Sequence, residues 1–129
     1  MNMAKNNRSM DFKELLAYQK AFDLAMQIFE VSKTFPKEER YSLTDQIRRS
    51  SRSVCANLAE GYRKRMYSKH FIAKLSDADM ENSETQVWID FAVQCKYIKK
   101  ETQVTLLNQA LEVGKLLGYM ISNPKKFCA

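Results

Sequence analysis

The stretch YSLTDQIRRSSRSVCANLAEGYRKR, residues 41–65, decides the fold of this chain. Leu43, Ile47, Ser50 or Ser51, Val54, Leu58 and Gly61 or Tyr62 recur at steps of three and four, the spacing that keeps side chains on one stripe of an α-helix. Arg48, Arg52 and Arg63 fall on roughly the opposite side, so the helix is amphipathic with a cationic outer face. Ser42 can cap its start, with Asp45 three places on in an arrangement close to a capping box. Gly61 is a sign of approaching termination.

Working outward, the same period appears three more times. Before the stretch, Ala17, Ala21, Leu24, Ile28, Val31 and Phe35 form a seam that Pro36 ends. After it, Ser68 can cap a third helix whose seam is Phe71, Leu75, Ala78, Asn82, Thr85, Ile89 and Ala92. A fourth seam runs Val104, Leu107, Leu111, Gly114, Gly118 and Ile121, closed by Pro124. The Gly114 and Gly118 spacing suits close helix approach.

Only three Gly and two Pro punctuate the 129 residues, and both Pro lie between or beyond these segments. The expectation is an all-α protein, an antiparallel up-down-up-down four-helix bundle with short connections. Residues 1–10 read as a disordered segment, 11–123 as one bundle domain and 124–129 as a C-terminal tail. No repeat or linker divides the chain.

The formal net charge is +6, so polyanions are attracted before any specific contact forms. The excess is local: between residues 40 and 65, Arg40, Arg48, Arg49, Arg52, Arg63, Lys64 and Arg65 stand against only Asp45 and Glu60. Three cysteines, Cys55, Cys95 and Cys128, give no disulfide framework and suggest reduced thiols in a cytoplasmic protein, with Cys55 and Cys95 as small core residues. The N-terminal sequence has no apolar targeting core and no window is apolar enough to span a membrane.

Catalytic chemistry finds no foothold. A metal site in a helical bundle needs inward carboxylates and Glu-x-x-His pairs, but the one histidine is His70 and Tyr67 stands three before it. Cys55 lies far from His70 along the chain, and no nucleophile elbow or phosphate loop occurs, so neither an enzyme nor a cofactor is expected. Asn57 and Glu60 flank the second seam, each about 60° from its neighbour around the helix. A structural polar layer with Asn82, Thr85, Glu84 and Gln86 of the third segment is the favoured account, a ligand site the alternative. Asp77, Glu81 and Glu84 form an acidic stripe that either stays solvated or meets the basic face of a neighbouring subunit. Trp88 and Phe91, with Asp77 and Glu81, are therefore candidates for an oligomer interface, although packing inside the chain competes.

The run FPKEERYSLTDQIRRSSRSVCANLAEGYRK (35–64), with SKHFIAKL (68–75), Glu84 and LEVGKLL (111–117), resembles the bacterial 23S rRNA intervening-sequence proteins. The ordered set Thr44, Gln46, Arg48, Arg49, Asn57, Ala59, Glu60 and Gly61 carries the resemblance. It implies a ring-like homopentamer of four-helix bundles, with genes sometimes found inside inserts of ribosomal RNA genes. A similar group, the accessory variability determinants of diversity-generating retroelements, forms basic pentamers that bind nucleic acid and a reverse transcriptase. Two features depart from the family pattern: Cys55 stands where many relatives carry Pro, and Asp77, Asp79 and Glu81 make the third segment acidic enough to repel phosphate on a shared face.

Two functions follow as expectations. The first is an oligomeric protein that binds structured RNA or DNA phosphates through Arg48, Arg49, Arg52, Arg63, Lys64 and Arg65. The second is a homo-oligomeric scaffold whose basic and acidic faces pair between subunits, recruiting a reverse transcriptase or another protein by family analogy.

Overall fold

The computed structural model describes residues 11–128. Four helices carry the fold: α1, Leu16–Ser32; α2, Leu43–Arg63; α3, Ser68–Gln94; and α4, Lys100–Ser122. Single 3-10 turns at Phe12–Glu14, Lys37–Glu39 and Pro124–Lys126 complete it, and no strand occurs among the described residues. The segment expected to be disordered, 1–10, lies outside the described residues.

Each helix packs on its neighbours in sequence, and α4 closes the ring against α1. The contact of α2 with α3 is the most extensive. Facing pairs fix the register: Ser50 and Arg49 of α2 meet Thr85 and Glu81 of α3, while Glu60, a few turns later on α2, meets Lys74, earlier on α3. Two apolar clusters fill the interior. One gathers Ala17, Ala21, Val54, Leu58, Phe71, Leu75, Val113 and Leu117; the other gathers Leu24, Ile28, Ile47, Ile89, Leu106 and Ala110. Full burial of each large aliphatic or aromatic side chain is worth about 1.5–3 kcal/mol, which is why the spacing of these residues dominates the fold.

The buried positions of α3 coincide with its expected seam, and those of α2 include the whole expected seam, Gly61 and Tyr62 both, together with Thr44 and Cys55 beside it. On α1 the match is close, with Val31 half-buried and Ser32 buried instead. On α4 the seam is displaced by one residue: Gln103, Leu106, Ala110, Val113, Leu117 and Met120 are buried, whereas Val104 and Leu111 are exposed. The helix carries two adjacent apolar rows about 100° apart. The row containing Gly114 and Gly118 has no side chain to fill the interior at two positions, so the row with Val113 and Leu117 turns inward instead.

That rotation also moves the close approach. A Cβ on Gly118 would meet nothing within 4 Å and one on Gly114 would meet only Asn82 Nδ2, at 3.4 Å. The tight glycine is Gly61, where a Cβ would stand 3.0 Å from Lys74 Cβ and 3.5 Å from the Phe71 carbonyl. Its absent side chain lets α2 and α3 touch, and α2 continues past it to Arg63.

Helix ends differ from the sequence expectation at two starts. Ser42 makes no side-chain cap to α2. Glu39 does so instead: Leu43 N–H donates to its carboxylate at 3.1 Å, as do Ser42 Oγ at 2.6 Å and the Tyr97 hydroxyl at 2.9 Å. These three donors hold the Glu39 carboxyl below its ordinary value, and the same contact pushes the Tyr97 hydroxyl up to about 12. Ser68 opens α3 but does not cap it by a side-chain bond. At the other end of α3, Lys96 takes a positive φ of 65°, and Lys96 N–H and Tyr97 N–H donate to the carbonyls of Val93 and Ala92. This is a Schellman closure on a residue that is not glycine.

Pro124 lies just beyond the end of α4, yet the chain folds back after it: Phe127 stacks on Phe71 at 6.3 Å between ring centroids. Cys55 is buried, as expected, but Cys95 is exposed because it sits on the C-cap of α3, beyond the last buried position, Ala92. Among the described residues no helix is long and apolar enough to cross a membrane.

Candidate nucleic-acid interface

The outer face of α2 is not one uniform patch, because each arginine leaves the helix in a different direction and meets a different neighbour. Arg48 reaches toward α1: its Nε donates to Ser32 Oγ at 2.7 Å and its guanidinium lies 4.8 Å from the Phe29 ring centroid. Arg52, one turn on, stands 5.6 Å over the same ring. Phe29 is thus a shared platform that restricts both guanidinium groups while leaving their outer edges toward solvent. Such partial ordering lowers the entropy cost of gripping an anion.

Arg49 points the other way, toward α3. Its guanidinium bonds to Glu81 at 3.2 Å and to Glu84, and Glu84 also accepts from Trp88 Nε1 at 3.0 Å. The Glu84 contact, more than any other, raises the Arg49 pKa above its ordinary value. The positive charge is answered within the chain.

Arg40, Thr44, Asp45, Arg48, Arg49, Arg52, Ser53 and Ala56 line a shallow groove of about 560 Å³. Four arginines and a single acidic residue line it, and three of those arginines make no described ion pair, a setting that favours an anion. Arg40 belongs to this groove as well as to the basic excess of residues 40–65. Its i to i+4 relation to Thr44 and onward to Arg48 was the available signal, obscured because Arg40 precedes the start of α2.

The remaining basic candidates form a second group at the end of α2. From Arg48 to Arg63 the helix rises about 22 Å. Arg63 lies 5.9 Å from the Phe12 ring centroid, and Lys64 is exposed. Arg65 packs 4.0 Å over the Tyr62 ring and donates to the Tyr62 carbonyl at 2.9 Å. The six residues proposed from sequence are therefore two clusters, not one.

The expected polar layer also divides. Thr85 and Ser50 share a 2.8 Å hydrogen bond in the interior, and Asn82 Nδ2 donates to the Ala110 carbonyl at 2.9 Å. Asn57 stays outside this layer, donating to the Ser53 carbonyl and hydroxyl on its own helix. Glu60 is exposed and pairs with Lys74 at 2.8 Å. Flanking the seam by about 60° is enough to keep both side chains out of the buried layer, with Glu60 at the edge of the α2 and α3 contact. Glu84 serves Arg49 and Trp88 at that edge, and Gln86 is half-buried.

Of the interface candidates, Asp77 is exposed and Glu81 is engaged by Arg49. Trp88 and Phe91 contact one another at 5.9 Å between centroids and border a cleft of about 240 Å³ with Leu43, Gln46 and Cys95. Trp88 packs on the second core cluster, while Phe91 remains 53% exposed. A second apolar groove, about 440 Å³, runs between α1 and α2 and is lined by Phe12, Tyr18, Phe22, Met26, Arg52 and Cys55 among others. Burial pushes the Cys55 thiol up to about 11, so at neutral pH it is protonated and a poor nucleophile. Among the described residues no group of three or more His, Cys, Asp or Glu is placed to hold a metal ion. His70 is exposed near the start of α3, edge-on to Tyr67.

Comparison with known proteins places this geometry in context. The family model described as 23S rRNA-intervening sequence protein matches residues 13–119. No curated protein matches the chain. Among solved structures, a protein of unknown function from the S23 ribosomal protein family of Bacteroides thetaiotaomicron VPI-5482 is 28% identical, with a TM-score of 0.74, covering 83% of this chain and 96% of that one.

Proposed function

The chain belongs to the 23S rRNA-intervening sequence protein family, and from that premise we propose that it is a non-enzymatic, homo-oligomeric protein of the cytoplasm that binds RNA or DNA by its phosphates. The observation that carries this reading is the groove bordered by Arg40, Arg48, Arg49 and Arg52, with Asp45 its single acid. Arg48 and Arg52, ordered on Phe29 but not paired to a carboxylate in any described ion pair, are its principal contacts. Arg63 and Lys64 extend the footprint along α2, and Arg65 adds charge from its seat on Tyr62. The opposed register of the pairs between α2 and α3 supports an antiparallel up-down-up-down bundle, and the family resemblance supports a pentamer of such bundles.

The test is a titration of a labelled RNA across salt. Each phosphate contact contributes about 0.7–0.9 to the slope of log affinity against log salt. Arg48→Ala and Arg52→Ala each flatten that slope; affinity indifferent to salt and to both substitutions overturns the reading.

A second reading, a scaffold that recruits a protein partner such as a reverse transcriptase, draws on the exposed Phe91 beside the Trp88 cleft and on the apolar groove between α1 and α2. In that case Arg52→Glu dissociates the oligomer. If the oligomer survives and only nucleic-acid binding is lost, the phosphate reading stands and the scaffold falls.

A further inference from the structure

Next in the chain to Arg40, which lines the groove, is an aromatic side chain that the phosphate reading does not use. Tyr41 is 85% exposed, the highest value among the large apolar side chains of the described residues. It makes no described side-chain hydrogen bond; its described contact is with Arg40, whose guanidinium stands 5.9 Å from its ring centroid. Arg40 in turn borders the groove. The ring therefore offers a free stacking face beside a groove-lining arginine.

The groove also lies almost wholly on one helix. Its arginines project from one helix, about 10–12 Å across, and from the turn just before it. On the α3 side the surface turns acidic at once, with Asp77 exposed and Glu81 and Glu84 around Arg49. A second backbone laid alongside the first on that flank would meet those carboxylates, which repel phosphate. A single backbone fits along Arg40, Arg48 and Arg52 without reaching them. Arg48 and Arg52 are separated by about 6 Å of helix rise, so the two can serve neighbouring phosphates of one backbone.

Resting on the phosphate-binding reading, we infer that the ligand is an unpaired nucleic-acid strand, free or in the loop of a folded RNA, with a base stacked on Tyr41 while its backbone follows the arginines. Stacking on an aromatic ring tolerates any base, so the site selects single-strandedness rather than sequence. Arg40 flanks the stacked base and ties the aromatic platform to the groove. The phosphates supply the salt-dependent part of the affinity and Tyr41 the part that salt leaves unchanged.

The experiment is an anisotropy titration of the full chain with a labelled oligouridylate and a labelled oligodeoxythymidylate, against a blunt duplex of equal length, at matched salt. The single strands should bind more tightly than the duplex. Tyr41→Ala should weaken single-strand binding by about fivefold to a hundredfold without altering the salt slope, and Tyr41→Phe should retain it. At this exposure neither substitution threatens folding. Salt-dependent binding that is equal for duplex and single strand, or unchanged in Tyr41→Ala, overturns this inference while leaving the phosphate reading intact. Absence of salt-dependent binding to every probe overturns both.

Discussion

Neutralising Glu81 and Glu84 together, as Glu81→Gln with Glu84→Gln, should tighten binding to a polyanion, because it releases the groove arginine already answered inside the protein. Arg49 bonds to both carboxylates, so these three side chains sum to one negative charge. Glutamine preserves their shape and turns the sum to one positive charge. Counterion release converts one new phosphate contact into a slope steeper by about 0.7–0.9, so that over a fourfold change in salt the variant's affinity varies about threefold more than the parent's. By the same reasoning Arg49→Ala should leave the parent slope unchanged, whereas Arg48→Ala and Arg52→Ala each reduce it by about 0.7–0.9. The substitutions should not unfold the chain: Arg49 is 44% exposed, and such pairs contribute about 0.2–1 kcal/mol each. Anisotropy of a labelled oligonucleotide at several salt concentrations reads the slopes, and thermal melting confirms the fold. If Arg49→Ala flattens the slope as much as Arg48→Ala does, Arg49 contacts phosphate and the reasoning from its carboxylate partners is wrong.

Three stability predictions follow from the interior and the helix ends, each measured by urea unfolding at fixed protomer concentration so that assembly does not confound the comparison. Thr85→Val, which strands the buried Ser50 hydroxyl with only a 3.5 Å contact to the Ile47 carbonyl, should cost about 1–3 kcal/mol. Adding Ser50→Ala should then cost little more, and strict additivity of the two would argue against the bond. Gly61→Ala should destabilise by about 1–3 kcal/mol through the 3.0 Å approach to Lys74 Cβ, while Gly118→Ala, in open space, should stabilise by about 0.5–1 kcal/mol. The same sign at both positions would contradict the packing described. Glu39→Ala should cost about 0.5–2 kcal/mol at neutral pH. Because hydrogen bonds to Ser42, Tyr97 and Leu43 depress the folded Glu39 pKa, the contribution is whole above the ordinary glutamate value and is lost as pH falls through the folded one. The gap between parent and variant should therefore close in acid, and a gap independent of pH would show that the carboxylate is not the cap.

How far the residues can be read in advance differs from helix to helix. On α2 and α3 the apolar spacing is strict and one face is plainly heavier, so the buried set follows from periodicity. On α4 two rows compete, and only side-chain volume against the other three helices selects Val113 and Leu117 over Gly114 and Gly118. The cap on α2 was misassigned for a similar reason: Ser42 has the right chemistry locally, but Tyr97 holds Glu39 from across the chain and makes it the better acceptor.

By itself the sequence determined that the chain is helical, that four helices share a core, that α2 is basic outside and apolar inside, and which family it belongs to. These are consequences of local spacing and residue identity, present in any conformation in which each helix forms. Only the tertiary structure decided what each arginine faces: Arg48 and Arg52 lie on Phe29 of α1, Arg49 between Glu81 and Glu84 of α3, and Arg40 beside Tyr41. Helical period states the direction in which a side chain leaves its own axis. What stands there belongs to a neighbouring helix, whose place and rotation are set by packing the whole core at once.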